Sequence, residues 1–471
     1  MTSLSRRNLL RSLAGSGVLA ATTGALGACA LSGGGDDKPS DSAQGAKNSV
    51  NPLGVKEDAP LEIVVFNGGF GEDYAKAHEA MYTEKYPKAQ IKHSATQQIG
   101  QTLQPRFVDG SPPDVVNNSG AGQIDFNGLV SQGALADLAP LLDAPSIDDP
   151  NKKVRETLLP GSLLPGTYDG KTMALNYAYT AYGIWYSAKL LGDKGWQYPK
   201  TWDEMIALCR TIKAAGISPW TYQGKHPRYM SWPILSAAVK MAGADILVAI
   251  DNLEPNAWKH EAILAAADAY SQLAVDGYIM PGSEGLDHIQ SQTEWCKGKA
   301  VFISCGSWLP SEQKAVTPPD FQMTIAPTSS LSTSDKLPFE ALRGTAGEPF
   351  VVPAKAKNLN GGLEYLRVML SKKGATDFTN RVASLTCVAG LEGVNLPPGL
   401  ESVTKALKAS GDKGFNWVYN SYYRKLEREL VDAACGALFT KQINAKQFVE
   451  QCQKGADSIA RDDTIKKYKR S

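Results

Sequence analysis

Three short β-rich runs alternating with helical stretches constrain the fold of this chain more than any other feature. Leu61-Glu-Ile-Val-Val-Phe66 is rich in β-branched residues and ends in Asn67-Gly68-Gly69. Glu72 to Tyr86 then reads as a helix stopped by Pro87, and Ala89 to Thr96 has strand character. Gln101 to Val108 is weakly helical, with Pro105 against it, and Pro113-Asp-Val-Val-Asn117 is another short strand opening into Asn118-Ser119-Gly120. Strands alternating with helices of this length predict βαβ units around a parallel sheet, an α/β fold. In such sheets ligands sit beyond the carboxyl ends of the strands. The loops Asn67 to Phe70 and Asn117 to Gly120 are therefore placed to line a site.

Ahead of this region, Arg6, Arg7 and Arg11 precede an uncharged Leu/Ala/Gly/Thr stretch running to Ala28, a basic n-region before an apolar h-region. Arg6-Arg7, followed by Leu9 and Leu10, resembles a twin-arginine export signal. Leu26-Gly27-Ala28-Cys29 resembles the lipobox of bacterial lipoproteins, in which the cysteine thiol takes a diacylglycerol. A membrane-spanning anchor needs roughly 20 strongly apolar residues, and this stretch is shorter and diluted by Gly, Ser and Thr. Residues 1–28 are expected to be a signal peptide. Residues 29–59 are expected to be a lipidated Cys29 and a solvated tether rich in Gly, Ser, Asp, Lys and Pro. The address implied is the extracellular face of the cell membrane.

The part from about Leu61 onward is longer than a single core usually serves and predicts two lobes. A net charge of +1 with both signs interspersed gives no electrostatic reason to expect nucleic acid as a partner. Besides Cys29 the chain has Cys209, Cys296, Cys305, Cys387, Cys435 and Cys452. Outside the cytoplasm that even number permits disulfides, with Cys296 to Cys305 and Cys435 to Cys452 the pairs nearest in sequence. There is no Cys-x-x-Cys and the five histidines are dispersed, so neither a metal nor another cofactor is expected.

Three later segments carry a family resemblance. The first is Asp169-Gly170-Lys171, then Trp185-Tyr186-Ser187-Ala188-Lys189-Leu190-Leu191, leading into Pro199-Lys200-Thr201-Trp202-Asp203-Glu204-Met205. The second is Gly298-Lys299-Ala300-Val301-Phe302 through Gly306-Ser307-Trp308. The third is Phe350-Val351-Val352-Pro353 followed by a helix containing Tyr365-Leu-Arg-Val-Met369. Together they resemble the extracellular solute-binding proteins of ABC sugar importers, in the maltodextrin-type branch. Within it, the twin-arginine lipoprotein start and Gly347-Glu348-Pro349-Phe350 are most similar to receptors for N-acetylglucosamine and chitobiose. The resemblance implies a two-lobed, periplasmic-binding-protein-like fold with a hinge and a ligand cleft. The expected divisions are 60–175 and 347–386 in lobe 1, and 176–346 and the helical 387–471 in lobe 2. It also implies a monomer that captures a small sugar for membrane permease subunits and catalyses nothing.

A pyranose presents apolar faces and a rim of hydroxyls, so its site needs flat aromatic surfaces with donors and acceptors beside them. In the family the tryptophan of Gly-x-Trp stacks on a sugar ring, which makes Trp308 a candidate. Tyr229 and Trp232 resemble the family's paired aromatics, Tyr229 expected to face ligand and Trp232 to be packed. Trp417 stands where the family also contributes a cleft aromatic, against a helix-packing role. Trp202 is expected to pack a helix start. The resemblance implies that the chain crosses between lobes near Asn176 to Tyr182 and returns near Gly347 to Val352. For hydroxyls and an acetamido group the polar loops supply Asn67, Asn118, Ser119 and Asn176, with Arg343 and Glu348 near the return crossing. The alternatives are turn-forming asparagines and a surface Arg343–Glu348 pair. The rival reading, a glycoside hydrolase, needs two carboxyls about 5 to 10 Å apart; Asp73, Asp125, Glu294 and Glu348 are available, but nothing in the sequence groups them. A surface adhesin without a small ligand is the other alternative.

Overall fold

The computed structural model describes residues 44–470 except 121, 392, 393 and 395. The expected signal peptide, Cys29 and the tether as far as residue 43 lie outside the described residues. Strand β1 (Leu61–Phe66) pairs in parallel with β2 (Ile91–Thr96) and with β3 (Val115–Asn117). Helices Asp73–Lys85 and Ile99–Val108 connect them, and Pro105 is accommodated in the last turn of the second. Leu61, Ile63 and Val65 enter one apolar core and Val64 another, because successive side chains of a strand leave on opposite faces. At β1 the sheet is thus buried on both sides, which is why β1 reads as a nearly continuous apolar run.

A small hairpin of β4 (Thr167–Tyr168) and β5 (Lys171–Thr172) follows. Its turn residues Asp169 and Gly170 both have positive φ, 50° and 76°, as a two-residue hairpin turn matching the strand twist requires. Then comes β6 (Leu175–Ser187), thirteen residues long. The remaining strands are β7 (Ser218–Thr221), β8 (Ala300–Gly306), β9 (Met323–Ala326), β10 (Arg343–Val351) and β11 (Leu385–Thr386). The sheet order is β2-β1-β3-β10-β6-β8-β7, with β9 and β11 also on β6.

Two strands carry the sheet from one lobe to the other. β10 runs antiparallel to β6 from the Arg343–Tyr182 pair to the Phe350–Leu175 pair. At its far end Phe350 and Val351 continue onto β3, while Tyr182 to Ser187 at the far end of β6 pair with β8 and β9. The last described residues dock on several elements: Arg470 Nη1 donates to Asp251 Oδ2 at 2.6 Å and to the Asn416 carbonyl at 2.8 Å, and Tyr468 packs on Tyr168 with centroids 4.9 Å apart.

Two expectations are corrected. Residues 44–59 are not a solvated tether: Leu53 and Val55 are 4% and 2% exposed in the core beneath β1. The Asn51 carboxamide closes that loop on Val55, and Tyr86 Oη donates to Asn51 Oδ1 at 3.2 Å. Two apolar side chains are enough to dock an otherwise polar segment. The six described cysteines are free, buried thiols with no disulfide among them. Cys305 Sγ instead accepts from Gln292 Nε2, and Cys296 Sγ sits 3.7 Å from Thr317 Oγ1. No described helix is long and apolar enough to cross a membrane.

Candidate binding cleft

The floor of the candidate site is one face of the two crossing strands. Side chains at Asn176, Ala178, Thr180 and Tyr182 share a face of β6 by the two-residue period. Their cross-strand partners are Pro349, Gly347, Thr345 and Arg343 of β10. These residues line a cavity of about 730 Å³ and a smaller adjoining one of about 220 Å³. The larger lies within the range typical of small-molecule sites.

Phe70 lines the larger cavity, and four aromatic rings cluster on another part of its wall: Tyr182, Tyr229, Trp232 and Trp308. Tyr182 meets Trp232 and Trp308 edge-on at centroid distances of 4.9 and 5.5 Å. Trp308 stands perpendicular to Trp232 at 6.0 Å, and Tyr229 lies 4.2 Å from Trp232. The geometry behind Gly306-Ser307-Trp308 is local. Ser307 N donates to the Ala181 carbonyl at 2.9 Å and its hydroxyl accepts from Ala181 N, anchoring the turn to β6. The Trp308 ring then folds back over Gly306, where a Cβ would lie 2.1 Å from the ring. Trp232, expected to be packed, shares the wall with Tyr229; its Nε1 donates to Glu427 Oε1 at 3.5 Å. Trp202 packs on Tyr270, with centroids 4.4 Å apart.

Arg343 is 1% exposed. Its guanidinium lies between the rings of Tyr182 and Trp417, 3.9 and 3.7 Å from their centroids, and Nε donates to Asn416 Oδ1 at 3.3 Å. Burial disfavours its charge, while Tyr182, Glu427, Tyr419 and Asp251 oppose that. Arg343 and Glu348 do not form a surface pair. Glu348 has φ of 53°, a left-handed conformation that costs a non-glycine residue of order 1 kcal/mol or more. Its carboxyl lines the cavity; burial pushes its pKa up, with Ser119 and Asn117 donating in opposition.

The other candidates divide. Ser119 lines the larger cavity and Asn176 the smaller. Asn118 does not line either: its carboxamide is consumed by the Ile124 carbonyl at 2.9 Å and the Ile124 N–H at 2.8 Å, closing the loop that brings Ser119 and Gln123 to the cleft. Asn67 is not at the wall, which Gly69 and Phe70 form instead. Trp417, 1% exposed, is the platform beneath Arg343 and not a wall of the cavity. Sequence reasoning missed Tyr182 and Thr180, although the period of β6 held the signal, and Asn420, which follows Trp417 by three residues.

Among the carboxylates considered for catalysis, Asp73 is exposed, Asp125 caps a helix by accepting from Gly128 N at 2.7 Å and Glu294 pairs with Lys297 and Lys299. Of that set only Glu348 lines the larger cavity, beside Glu312 and Glu427. Burial raises the Glu312 pKa, against hydrogen bonding from Gln292. Among the described residues no group of three His, Cys, Asp or Glu side chains is arranged to hold a metal ion.

Two lobes sharing a pair of crossing strands, with an aromatic-walled cavity over those strands, define a binding protein that holds a small ligand between lobes. The sequence comparisons agree. Residues 68–376 match the family described as bacterial extracellular solute-binding protein. The diacetylchitobiose binding protein of Streptomyces coelicolor is 34% identical over 99% of this chain and 98% of its own length. The multiple sugar-binding protein of Streptococcus mutans is 22% identical over 78% of this chain and 82% of its own. This chain belongs to the bacterial extracellular solute-binding protein family. Among solved structures, RafE of Streptococcus pneumoniae in its apo form superposes with a TM-score of 0.69 at 18% identity, over 86% of this chain and 99% of that one. A chitin oligosaccharide binding protein gives 0.67 at 18% identity with the same coverages. These likenesses establish the two-lobed fold.

Proposed function

We propose that the protein captures N-acetylglucosamine or its dimer N,N'-diacetylchitobiose and presents it to membrane permease subunits of an ABC importer. The observation that carries the reading is the aromatic wall of Tyr229, Trp232 and Trp308 over a polar strand floor. Flat rings suit the carbon-bound hydrogens of a pyranose face, and Arg343, Glu348, Ser119 and Asn176 suit its rim. The near full-length relative with a diacetylchitobiose-binding name supports the choice of sugar. On this reading the lobes divide at 176 and 346 on the crossing strands, the ligand is bound by a monomer, and Cys29 carries the lipid that keeps it at the membrane.

Isothermal titration of the soluble chain with N-acetylglucosamine, diacetylchitobiose, maltose and cellobiose tests the reading. Saturable binding of the first two, with no sugar released from diacetylchitobiose, is expected. Binding of maltose or cellobiose alone would replace the sugar, and steady release of N-acetylglucosamine would replace the receptor by a hydrolase. For the anchor, a Cys29→Ser chain should leave the membrane fraction.

A further inference from the structure

Residues 462–470 tie together elements that the lobe division proposed above places on opposite sides of the cleft. They leave helix Ala445–Arg461 of the second lobe and run onto the first. There Lys466 Nζ pairs with Asp169 Oδ2 at 2.5 Å, in the turn of the β4–β5 hairpin, and the Lys466 carbonyl accepts from Asn127 Nδ2 at 3.0 Å. Two residues on, the Tyr468 ring is 1% exposed and meets Tyr168 of that hairpin edge-on. The segment then returns to the second lobe. Tyr468 N donates to Tyr423 Oη at 2.9 Å, and Arg470 and Asn252 exchange hydrogen bonds at 2.7 and 3.0 Å.

Three rings meet at this seam: Tyr168 from the first lobe, Tyr422 from the second and Tyr468 from the last residues, with centroids 4.9 to 5.6 Å apart. Tyr168 lines the smaller cavity, as do Asn420 and Ser421 on the turn that carries Tyr422. Tyr468 does not line either cavity. It touches both walls from behind, where it can hold their spacing without meeting a ligand. The exposed Lys466–Asp169 pair contributes little alone; the buried ring and the main-chain hydrogen bonds carry the attachment. A hinge rotation that parted the two walls would strip Tyr468 from one of them and open its apolar face to water, which opposes the rotation.

We infer that residues 462–470 form a strap between the lobes, with Tyr468 a positioning residue that limits how far the walls of the cleft swing apart. The inference rests on the lobe division in the reading above and is independent of which sugar is bound.

Double electron–electron resonance on the soluble chain tests it. Spin labels at Lys88→Cys in the first lobe and Lys408→Cys in the second report the distance between lobes; both positions are exposed, while the six described native thiols are buried. Measured without sugar, the distance distribution is expected to broaden toward longer distances in Tyr468→Ala and in the double variant Asn127→Ala/Lys466→Ala. The double variant alters only partly exposed side chains, so it keeps the test valid should Tyr468→Ala fail to fold. Distributions that superimpose on the wild type in every folded variant overturn the strap. Because no sugar is present, that result leaves the proposed function standing, and a failed sugar titration leaves the strap standing.

Discussion

Trp417, beneath the Arg343 guanidinium, shows how a side chain can serve a cleft from behind it. A guanidinium buried between two rings gains about 2 kcal/mol or more from cation–π attraction when desolvated, and loses its fixed aim without them. Trp417→Leu should therefore weaken sugar binding by about 1 to 2 kcal/mol, although Trp417 does not line the cavity. Trp308→Ala should cost about 2 kcal/mol or more, the scale of a buried aromatic anchor; titration of both variants checks the pair. A second residue-scale prediction concerns His78, buried with Nε2 donating to the Gly374 carbonyl at 3.0 Å. Burial lowers its pKa from 6.5 to about 4, so the folded state keeps it neutral while the unfolded chain takes a proton below pH 6.5. Its contribution is fully present above pH 6.5 and is lost as pH falls toward 4, about 3 kcal/mol in all. Urea midpoints should drop across that window, and drop less in His78→Gln. At this scale the sequence revealed residue types better than their aim. Trp308 was legible as an aromatic in a turn after a strand, and Tyr229 only through the resemblance to the family's paired aromatics. The fate of Asn118 was not, because only the fold brings both polar groups of Ile124 onto its carboxamide.

At the scale of elements, the turn after β8 sets the position of one cleft wall. With the Trp308 ring lying where a Cβ of residue 306 would be, Gly306→Ala must displace the ring. The variant should lose affinity comparably to Trp308→Ala while its circular dichroism and melting stay near wild type. An unchanged affinity would mean that the ring has room to shift without consequence. The strand–helix alternation up to Asn117 was legible because β1 and β3 are apolar runs buried on both faces, β2 at the edge alternates, and turn residues bound them. The stretch Asn176 to Tyr182 was identified as a crossing, but its cleft face required reading β6 and β10 together, and pairing at a separation of more than 160 residues leaves no local trace. The docking of Leu53 and Val55 was hidden for the opposite reason: a long polar composition outweighs two apolar side chains until their pocket is known.

For the whole molecule, two lobes joined by paired strands predict closure over ligand by hinge motion. Small-angle scattering should give a smaller radius of gyration with saturating diacetylchitobiose than without. Folding needs no oxidation, since Cys209, Cys296, Cys305, Cys387, Cys435 and Cys452 are all free. A reducing agent should leave the melting temperature unchanged. Their burial, which lifts the Cys296 thiol to about 11 and those of Cys209 and Cys387 to about 12, also keeps them poor nucleophiles. In a soluble chain begun after Cys29, one cysteine engineered at the cleft rim would thus be the only thiol a maleimide dye meets quickly. The six silent thiols make this protein a ready scaffold for a site-labelled fluorescent sugar sensor, with no native cysteine to remove first.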